Sequence, residues 1–518
     1  MDFFKRNTNS LLLILVIGFY LFNGITSLRS QSITFDEGSF MGYGIRYLKG
    51  DPERVNPRSD NSKMPVSVLN AIPRVVEQFL SGKNEKDDGG VSDIMHGRYV
   101  TLLLSMFTIL LVYTWSKQLY GAPAGLFSAF LMSVCPNNLA SATLVTTDSY
   151  SVLFLLLTMY CLWKFCTRKT NRWFFCFCIA IALSQLVKQS LFHLYILAPL
   201  CMLIYQLVLR EKFKWGVFGK CLLIFILVNL FIINIGYYFH NSLTSLGDYH
   251  FMSHLFQSLQ QILPQGLPVP LPKPFTDGLD MAKYYDQLGG GYDTVSSFGK
   301  VTILGQERTG GGFWYYYFVS IFFKTPIAYL VFFGWAKWIM LKKRSSREFI
   351  SKEFFLLAPV FYFLVIMSFF YQTQCGIRHI IFIYPFLFIL SGAIIPALKT
   401  MWAKAALVLL SVFLIVSVFR YWRNYYPYTN EFIGDKKMAY RYVGAANLEF
   451  GQGGIFLSKY LAKHPEINWA PQQPAVGTFI LDPERYLDTW SRHEYDWIKG
   501  YKPTRHLFYN YLLFEIKQ

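Results

Sequence analysis

A small set of ionisable residues stands at or near the ends of long apolar runs, where such side chains are expensive unless paired, wetted or functional. Asp36 and Glu37 follow the first run, in Thr34-Phe35-Asp36-Glu37-Gly38, and Asp148 opens a later one, in Thr146-Thr147-Asp148-Ser149. The cations are Lys63 in Lys63-Met64-Pro65, Lys188 between two runs, Lys324 in Phe323-Lys324-Thr325-Pro326, and Arg378 beside His379 in Gly376-Ile377-Arg378-His379. Singly, each has a plain reading. Asp36 and Glu37 read as solvated loop acids, Asp148 as a first-turn acid favoured by the helix dipole, and Lys188 as a lysine snorkelling to the interface. Lys324 lies about a third to a half of the way into a run of the usual length, so a pore- or cavity-facing position is expected for it. Together they place carboxylates beside several cations on one membrane face. Arginine and lysine bind a phosphate and stabilise the charge that grows on it as it leaves. One carboxylate, oriented by its neighbour, takes a proton from an attacking hydroxyl. The set suits a reaction on an anionic, lipid-held phosphate substrate.

The elements that must position these residues are membrane spans. Of 518 residues, 53% are hydrophobic, 19% aromatic and only 15% charged, against about 25% charged in a soluble chain. The deficit lies in runs long enough to cross a hydrocarbon core of about 30 Å, and the need to pair every backbone amide in lipid makes them helices. About eleven spans are expected, near 10–28, 98–118, 121–142, 149–166, 173–188, 190–209, 217–239, 313–336, 353–371, 378–397 and 403–420. The first reads as a signal anchor.

A net charge of +18 would suggest nucleic acid in a soluble protein. Here the basic clusters fall on alternate connections: Lys5 and Arg6; Lys164, Arg168, Lys169 and Arg172; Arg210, Lys212 and Lys214; Lys342, Lys343, Arg344 and Arg347; Lys399 and Lys404. That is the positive-inside pattern with a cytoplasmic N-terminus. It excludes a nucleic-acid partner and leaves the lipid bilayer. The eight cysteines lie nearly all within spans, so they read as packing residues rather than a disulfide framework or a zinc site.

Three segments fall on the outer face. In 29–97, the stretch Val66–Leu80 reads as a helix lying in the interface, and 81–91 as an exposed turn. Segment 240–312 has a proline-rich run from Leu263 to Pro274 and two glycine runs, Gly289–Gly291 and Gly310–Gly312; long irregular loops of this kind are usually functional or disordered, lids being a common form. Segment 421–518 is polar and aromatic, and is expected to form a small outer domain of α/β type. The expected organisation is a transmembrane domain at 1–420 and this C-terminal domain at 421–518.

These residues resemble those of the GT-C membrane glycosyltransferases, in the branch of the protein O-mannosyltransferases and the bacterial lipid A aminoarabinose transferase. The resemblance rests on Phe35-Asp36-Glu37, Lys63-Met64-Pro65, Gly97-Arg98, Thr147-Asp148, Lys188, Gly312-Phe313-Trp314-Tyr315-Tyr316 leading into Lys324-Thr325-Pro326, and Gly376-Ile377-Arg378-His379 followed by Tyr384-Pro385. In the tail, Tyr428-Thr429-Asn430-Glu431 and Asn447-Leu448-Glu449-Phe450-Gly451-Gln452 look like variants of bacterial patterns, the second usually read as Asn-Leu-Asp-Trp-Gly-Gln. The resemblance implies a mainly α, GT-C-type polytopic protein of the cell (inner) membrane. Such a protein moves a sugar from a polyprenyl-phosphate carrier to an acceptor hydroxyl on a glycolipid, glycan or protein outside, with inversion. It puts Asp36, with Glu37 beside it, and Asp148 at the catalytic centre, and Lys63 and Lys188 by the donor phosphate. Arg378 joins them by topology, and Lys324, His379, Asn447 and Gln452 are further candidates for the substrate site. No cofactor is assigned. A divalent metal is left open, although Ser62 stands where the aminoarabinose transferase has an acid before its loop-one lysine.

Two other classes weigh against this reading. A transporter or flippase of lipid-linked glycans would also need a basic cavity, but such proteins often show paired repeats and broken helices at the midplane, and the sequence shows neither. A non-catalytic scaffold would not need Asp36 beside so many cations.

Overall fold

The computed structural model describes residues 2–55, 60–82, 91–210, 215–289, 300–343, 345–490 and 492–517. Most of the expected turn at 81–91, Gly290 and Gly291, and the inner-face Lys212, Lys214 and Arg344 lie outside the described residues, as do the side chains of Lys5, Arg6 and Lys343.

The chain is helical through its first four-fifths, in the order α1 Asp2–Leu28, α2 Glu37–Leu48, α3 Ser67–Ser81, α4 Val91–Tyr120, α5 Ala122–Ser133, α6 Pro136–Ala142, α7 Asp148–Arg168, α8 Asn171–Ser184, α9 Leu194–Leu209, α10 Trp215–Gly236, α11 His254–Ile262, α12 Lys273–Leu288, α13 Tyr316–Lys324, α14 Ile327–Lys343, α15 Phe354–Phe369, α16 Tyr384–Ser391 and α17 Met401–Phe419. Among the described residues, six helices are long and apolar enough to cross a membrane: Thr8–Leu28, Ile94–Tyr120, Asp148–Arg168, Gln189–Leu209, Gly219–Gly236 and Met401–Phe419. The other expected spans are built differently. Those at 173–188 and 353–371 are shorter apolar helices, and the one at 378–397 is an apolar helix over Ile381–Ala397, partly in 3-10 turns. The span expected at 121–142 is two helices, because Pro136 starts a new one after Val134 and Cys135. The span expected at 313–336 bends by 109° between α13 and α14, where Thr325 takes the extended conformation that a following proline imposes.

That bend leaves carbonyls at the end of α13 without helical partners. The tail supplies them: Asn430 donates its backbone N–H to Phe323 O (2.8 Å) and its amide to Thr325 O (2.8 Å) and Phe322 O. The tail folds over a four-stranded sheet in the order β3 (Ile467–Trp469), β4 (Gly477–Leu481), β6 (Tyr511–Ile516), β5 (Arg505–Leu507). The β3–β4 pair is parallel and the other two pairs are antiparallel. Phe479, Leu481, Leu512 and Phe514 pack beneath it against Tyr440 and Tyr486. A hairpin between α12 and α13, β1 (Lys300–Ile303) with β2 (Gln306–Thr309), joins this layer through Lys300 N–H to Thr489 O (2.8 Å). All eight cysteines are unpaired.

One buried ion pair ties several helix ends together. Arg98, 1% exposed, uses all five of its N–H groups: Nε and Nη2 reach Glu37 at 2.7 and 2.6 Å, and the rest go to the carbonyls of Leu28, Gln31 and Ser32. Glu37, fully buried, also accepts from Thr34 N–H (2.8 Å), the Thr34 hydroxyl (3.0 Å) and Val145 N–H (2.9 Å). The end of α1, the start of α2, the N-terminal end of α4 and the approach to α7 therefore meet at one pair. Removing one partner strands the other charge, which costs about 3–5 kcal/mol. Arg98→Ala is expected to lower the thermal midpoint in detergent sharply, while Glu37→Leu/Arg98→Met recovers much of the loss. An Arg98→Ala protein that melts like the parent would contradict this.

Candidate active site

Loop one approaches the site as a strand without a sheet. Ser32 N–H bonds Gln452 O (3.0 Å) and Phe35 N–H bonds Phe450 O (3.2 Å), so the tail motif edges the loop. Asp36 then caps α2 by position, but its side chain makes no capping bond. The carboxylate instead turns to Arg378, whose Nη1 donates to Oδ2 at 2.9 Å. Among the described residues no hydrogen bond reaches Oδ1.

Arg378 is aimed by its surroundings. Gly376 has φ +85°, and a Cβ there would stand 2.7 Å from Ala446 O, so the turn needs glycine. Gly376 N–H bonds the Tyr316 hydroxyl (2.9 Å) and Ile377 N–H bonds Asn447 Oδ1 (2.8 Å). The guanidinium lies 4.2 Å from the Phe450 ring centroid, and Phe450 stacks on Tyr426. Lys63, 2% exposed, places Nζ 3.5 Å from the Phe40 ring centroid, with Ser62 Oγ at 3.4 Å. Asp148, in the first turn of α7, receives Lys188 Nζ at 2.6 Å.

The electrostatics follow from this crowding. The Asp36 side chain is 36% exposed, yet it sits in a recess dense enough to desolvate it. Burial would raise its pKa, but Arg378 and then Lys63 outweigh that and hold the carboxyl below the ordinary range, against the nearby charge of Asp148. Asp36 is ionised at neutral pH. Burial pushes the Lys63 ammonium down to about 8, with Asp36 and Asp60 acting the other way. Its charge has an aromatic face and a hydroxyl for neighbours, which suits an incoming anion.

Asp36, Lys63, Asp148, Lys188 and Arg378 are thus brought together, with His379 half-buried and within electrostatic reach of Lys188, Arg378 and Asp148. Four expected residues are placed otherwise. Glu37 was expected beside Asp36 at the reacting centre, but it is sealed from solvent and both its oxygens are filled by Arg98, Thr34 and Val145. Lys324 does not face a pore or cavity: it is 1% exposed and its ammonium is taken by Asn447 O (2.6 Å) and Tyr426 O. Asn447 spends its amide on Ile377, Val443 and Tyr316. Gln452 folds onto its own turn through Phe450 N–H (2.7 Å) and Leu448 O (3.1 Å). These residues hold the site from behind. Arg98 and Phe450 are functional neighbours that the sequence reading passed over as site residues. An arginine entering an apolar run was the available signal for the first; nothing local marks the second.

Asp36 and Asp148 are each engaged by a cation, and among the described residues three metal-competent side chains converge only at Asp488, His493 and Asp496, in the tail.

The site is built from the ends of many spans with a mixed α/β tail closing over it, and the chain has the fold of the GT-C membrane glycosyltransferases. Within it, residues 90–231 match the family model of the dolichyl-phosphate-mannose-protein mannosyltransferases. The archaeal oligosaccharyltransferase AglB from Archaeoglobus fulgidus, solved with an inhibitory peptide and a dolichol-phosphate, superposes with a TM-score of 0.51 at 12% identity, over 80% of this chain and 55% of its own. The apo form of that enzyme gives 0.50, also at 12% identity, over 82% and 56%. This chain therefore spans about half the length of the archaeal enzyme. ArnT from Cupriavidus metallidurans in the apo state aligns over 98% of both chains at 12% identity, with a TM-score of 0.48. No curated protein matches the sequence.

Asn447→Ala removes the acceptor for Ile377 N–H and strands a buried donor, at a cost of about 1–3 kcal/mol. Amide hydrogen exchange is expected to rise over 376–379 while the spans stay protected; unchanged exchange there would mean that Asn447 does not hold the Arg378 turn.

Proposed function

We propose that the protein is a membrane glycosyltransferase that moves a sugar from a polyprenyl-phosphate carrier to an acceptor hydroxyl on the outer face of the cell membrane, inverting the anomeric carbon. The observation that carries this reading is an ionised, partly accessible carboxylate, Asp36, held by Arg378 with the underpaired ammonium of Lys63 close by. The orientation assumed is a cytoplasmic N-terminus with 421–518 outside.

The donor phosphate binds among Lys63, Lys188 and Arg378, with Asp148 holding Lys188. In the resting site Arg378 makes Asp36 a weak base. An arriving phosphate competes for the N–H groups of Arg378, so Asp36 regains basicity when the donor is in place. The acceptor hydroxyl loses its proton to Asp36 as its oxygen attacks the anomeric carbon, and the bond from that carbon to the phosphate oxygen breaks on the opposite side. The electron pair leaves with the carrier phosphate, whose added charge the three cations stabilise. One displacement inverts the centre.

The bend between α13 and α14 gives a transporter or flippase of lipid-linked glycans a feature it would use. Against it, the break is filled by Asn430, and Lys324 beside it is spent on carbonyls. Purified protein in lipid nanodiscs, offered a panel of polyprenyl-phosphate sugars and acceptors, separates the two. Asp36→Asn is expected to lose turnover by about 10²–10⁴-fold, the usual worth of a general base, with donor affinity little changed. Full turnover in that variant would return Asp36 to the status of a loop acid. Donor affinity is also expected to fall as pH rises through about 8, where Lys63 loses its proton. Lys63→Arg should abolish that fall; a pH profile identical in the two proteins would remove Lys63 from the phosphate site.

A further inference from the structure

The second outer loop carries a helix turned inside out. Its stem is a hairpin in which Leu243 N–H bonds Val269 O (2.9 Å), Val269 N–H bonds Thr244 O (3.0 Å) and Leu246 N–H bonds Leu267 O (2.9 Å). At its tip sits α11, with none of its residues buried. The inward side of α11 carries Phe256, packed against Leu246, Tyr249 and Phe251, and two amides: Gln257 donates to Phe251 O (2.9 Å), and Gln260 to Leu246 O and Tyr249 O (both 2.8 Å). The opposite stripe is Leu255, Leu259 and Ile262, exposed by 50%, 42% and 79%, and Leu263 and Leu267 prolong it. A helix on a water-covered surface shows the reverse arrangement.

Two observations say what covers that stripe. From Tyr249 to Pro272 the chain has no Asp, Glu, Lys or Arg, where about a quarter of a soluble segment would be charged. The hairpin also springs from the end of a lipid-facing span. Asn234 at the end of α10 bonds Pro270 O (3.1 Å), and the exposed apolar side of α10, through Phe231 and Ile235, continues along the chain in Tyr238, Phe239 and Leu243. The hairpin is fixed in place, since Asp280 of α12 accepts from Met252 N–H (2.7 Å) and Ser253 N–H (2.9 Å).

We infer that α11 lies in the headgroup–acyl boundary of the leaflet into which α10 opens, with Leu255, Leu259 and Ile262 in the acyl region. With no Lys or Arg in the segment, the contact rests on apolar burial and not on attraction to anionic headgroups. It is independent of the reaction proposed above.

The test is an environment-sensitive fluorophore on Leu259→Cys, in nanodiscs whose lipids carry a nitroxide near the top of the acyl chain. The parent protein, labelled in parallel, gives the background from the native cysteines. Quenching is expected to be several-fold stronger than for the same label on Glu307→Cys, in the exposed strand β2, and to be equal in zwitterionic and anionic lipid. A water-like, unquenched spectrum would overturn the inference. So would a blue-shifted but unquenched one, which would mean that another protein surface covers the stripe. Ile262→Cys should repeat the result, and at its exposure the substitution disturbs no packing.

Discussion

A guanidinium and a carboxylate with no access to water govern how the site-bearing ends of the helices are put together. Taking two charges out of water is expensive, and the expense is tolerated only where every donor and acceptor is matched. Arg98 and Glu37 meet that condition completely, and in doing so they fix where α1 ends, where α2 begins and how the approach to α7 lies against both. Asp36 inherits its position from this junction. It is the neighbour of a residue that cannot move, so its carboxylate points away from the sealed pair and toward Arg378.

The second support comes from the far end of the chain. Arg378 is presented by a glycine turn whose N–H groups are held by Tyr316 and Asn447, and its flat face rests on Phe450. Lys324 clamps the same tail motif from within the bent span. Acid and cation thus come from opposite ends of the sequence, and the tail that looks like an appended domain is part of the wall of the site.

Much of this was legible in the sequence, and the rest was hidden for physical reasons. Apolar length marks a span because lipid leaves a backbone no alternative to the helix, so the positions of the membrane segments could be read directly. A bend such as the one at Thr325–Pro326 is legal in a membrane only when other residues repair the broken backbone bonds, and the repairing residue, Asn430, lies a hundred residues away. Charged residues beside apolar runs were also visible, but residue type alone does not separate a group that faces substrate from one consumed by structure. Asp36 and Glu37 are adjacent acids; one is 36% exposed and the other sealed, and the difference is made by Arg98. Lys324 and Lys63 are likewise both buried lysines, yet backbone carbonyls take up the ammonium of the first, while among the described residues the second touches a ring and a hydroxyl.

The repair of the bent span by Asn430 bears on biogenesis. When α13 and α14 enter the membrane during synthesis, the carbonyls of Phe322, Phe323 and Thr325 have no partner, because the residue that will bind them has not yet been translated. Until it arrives the break that Pro326 makes leaves those carbonyls to water or to the insertion machinery. The closing of the bend, and with it the seat of Lys324 on Tyr426 O and Asn447 O, therefore waits until the tail has been made.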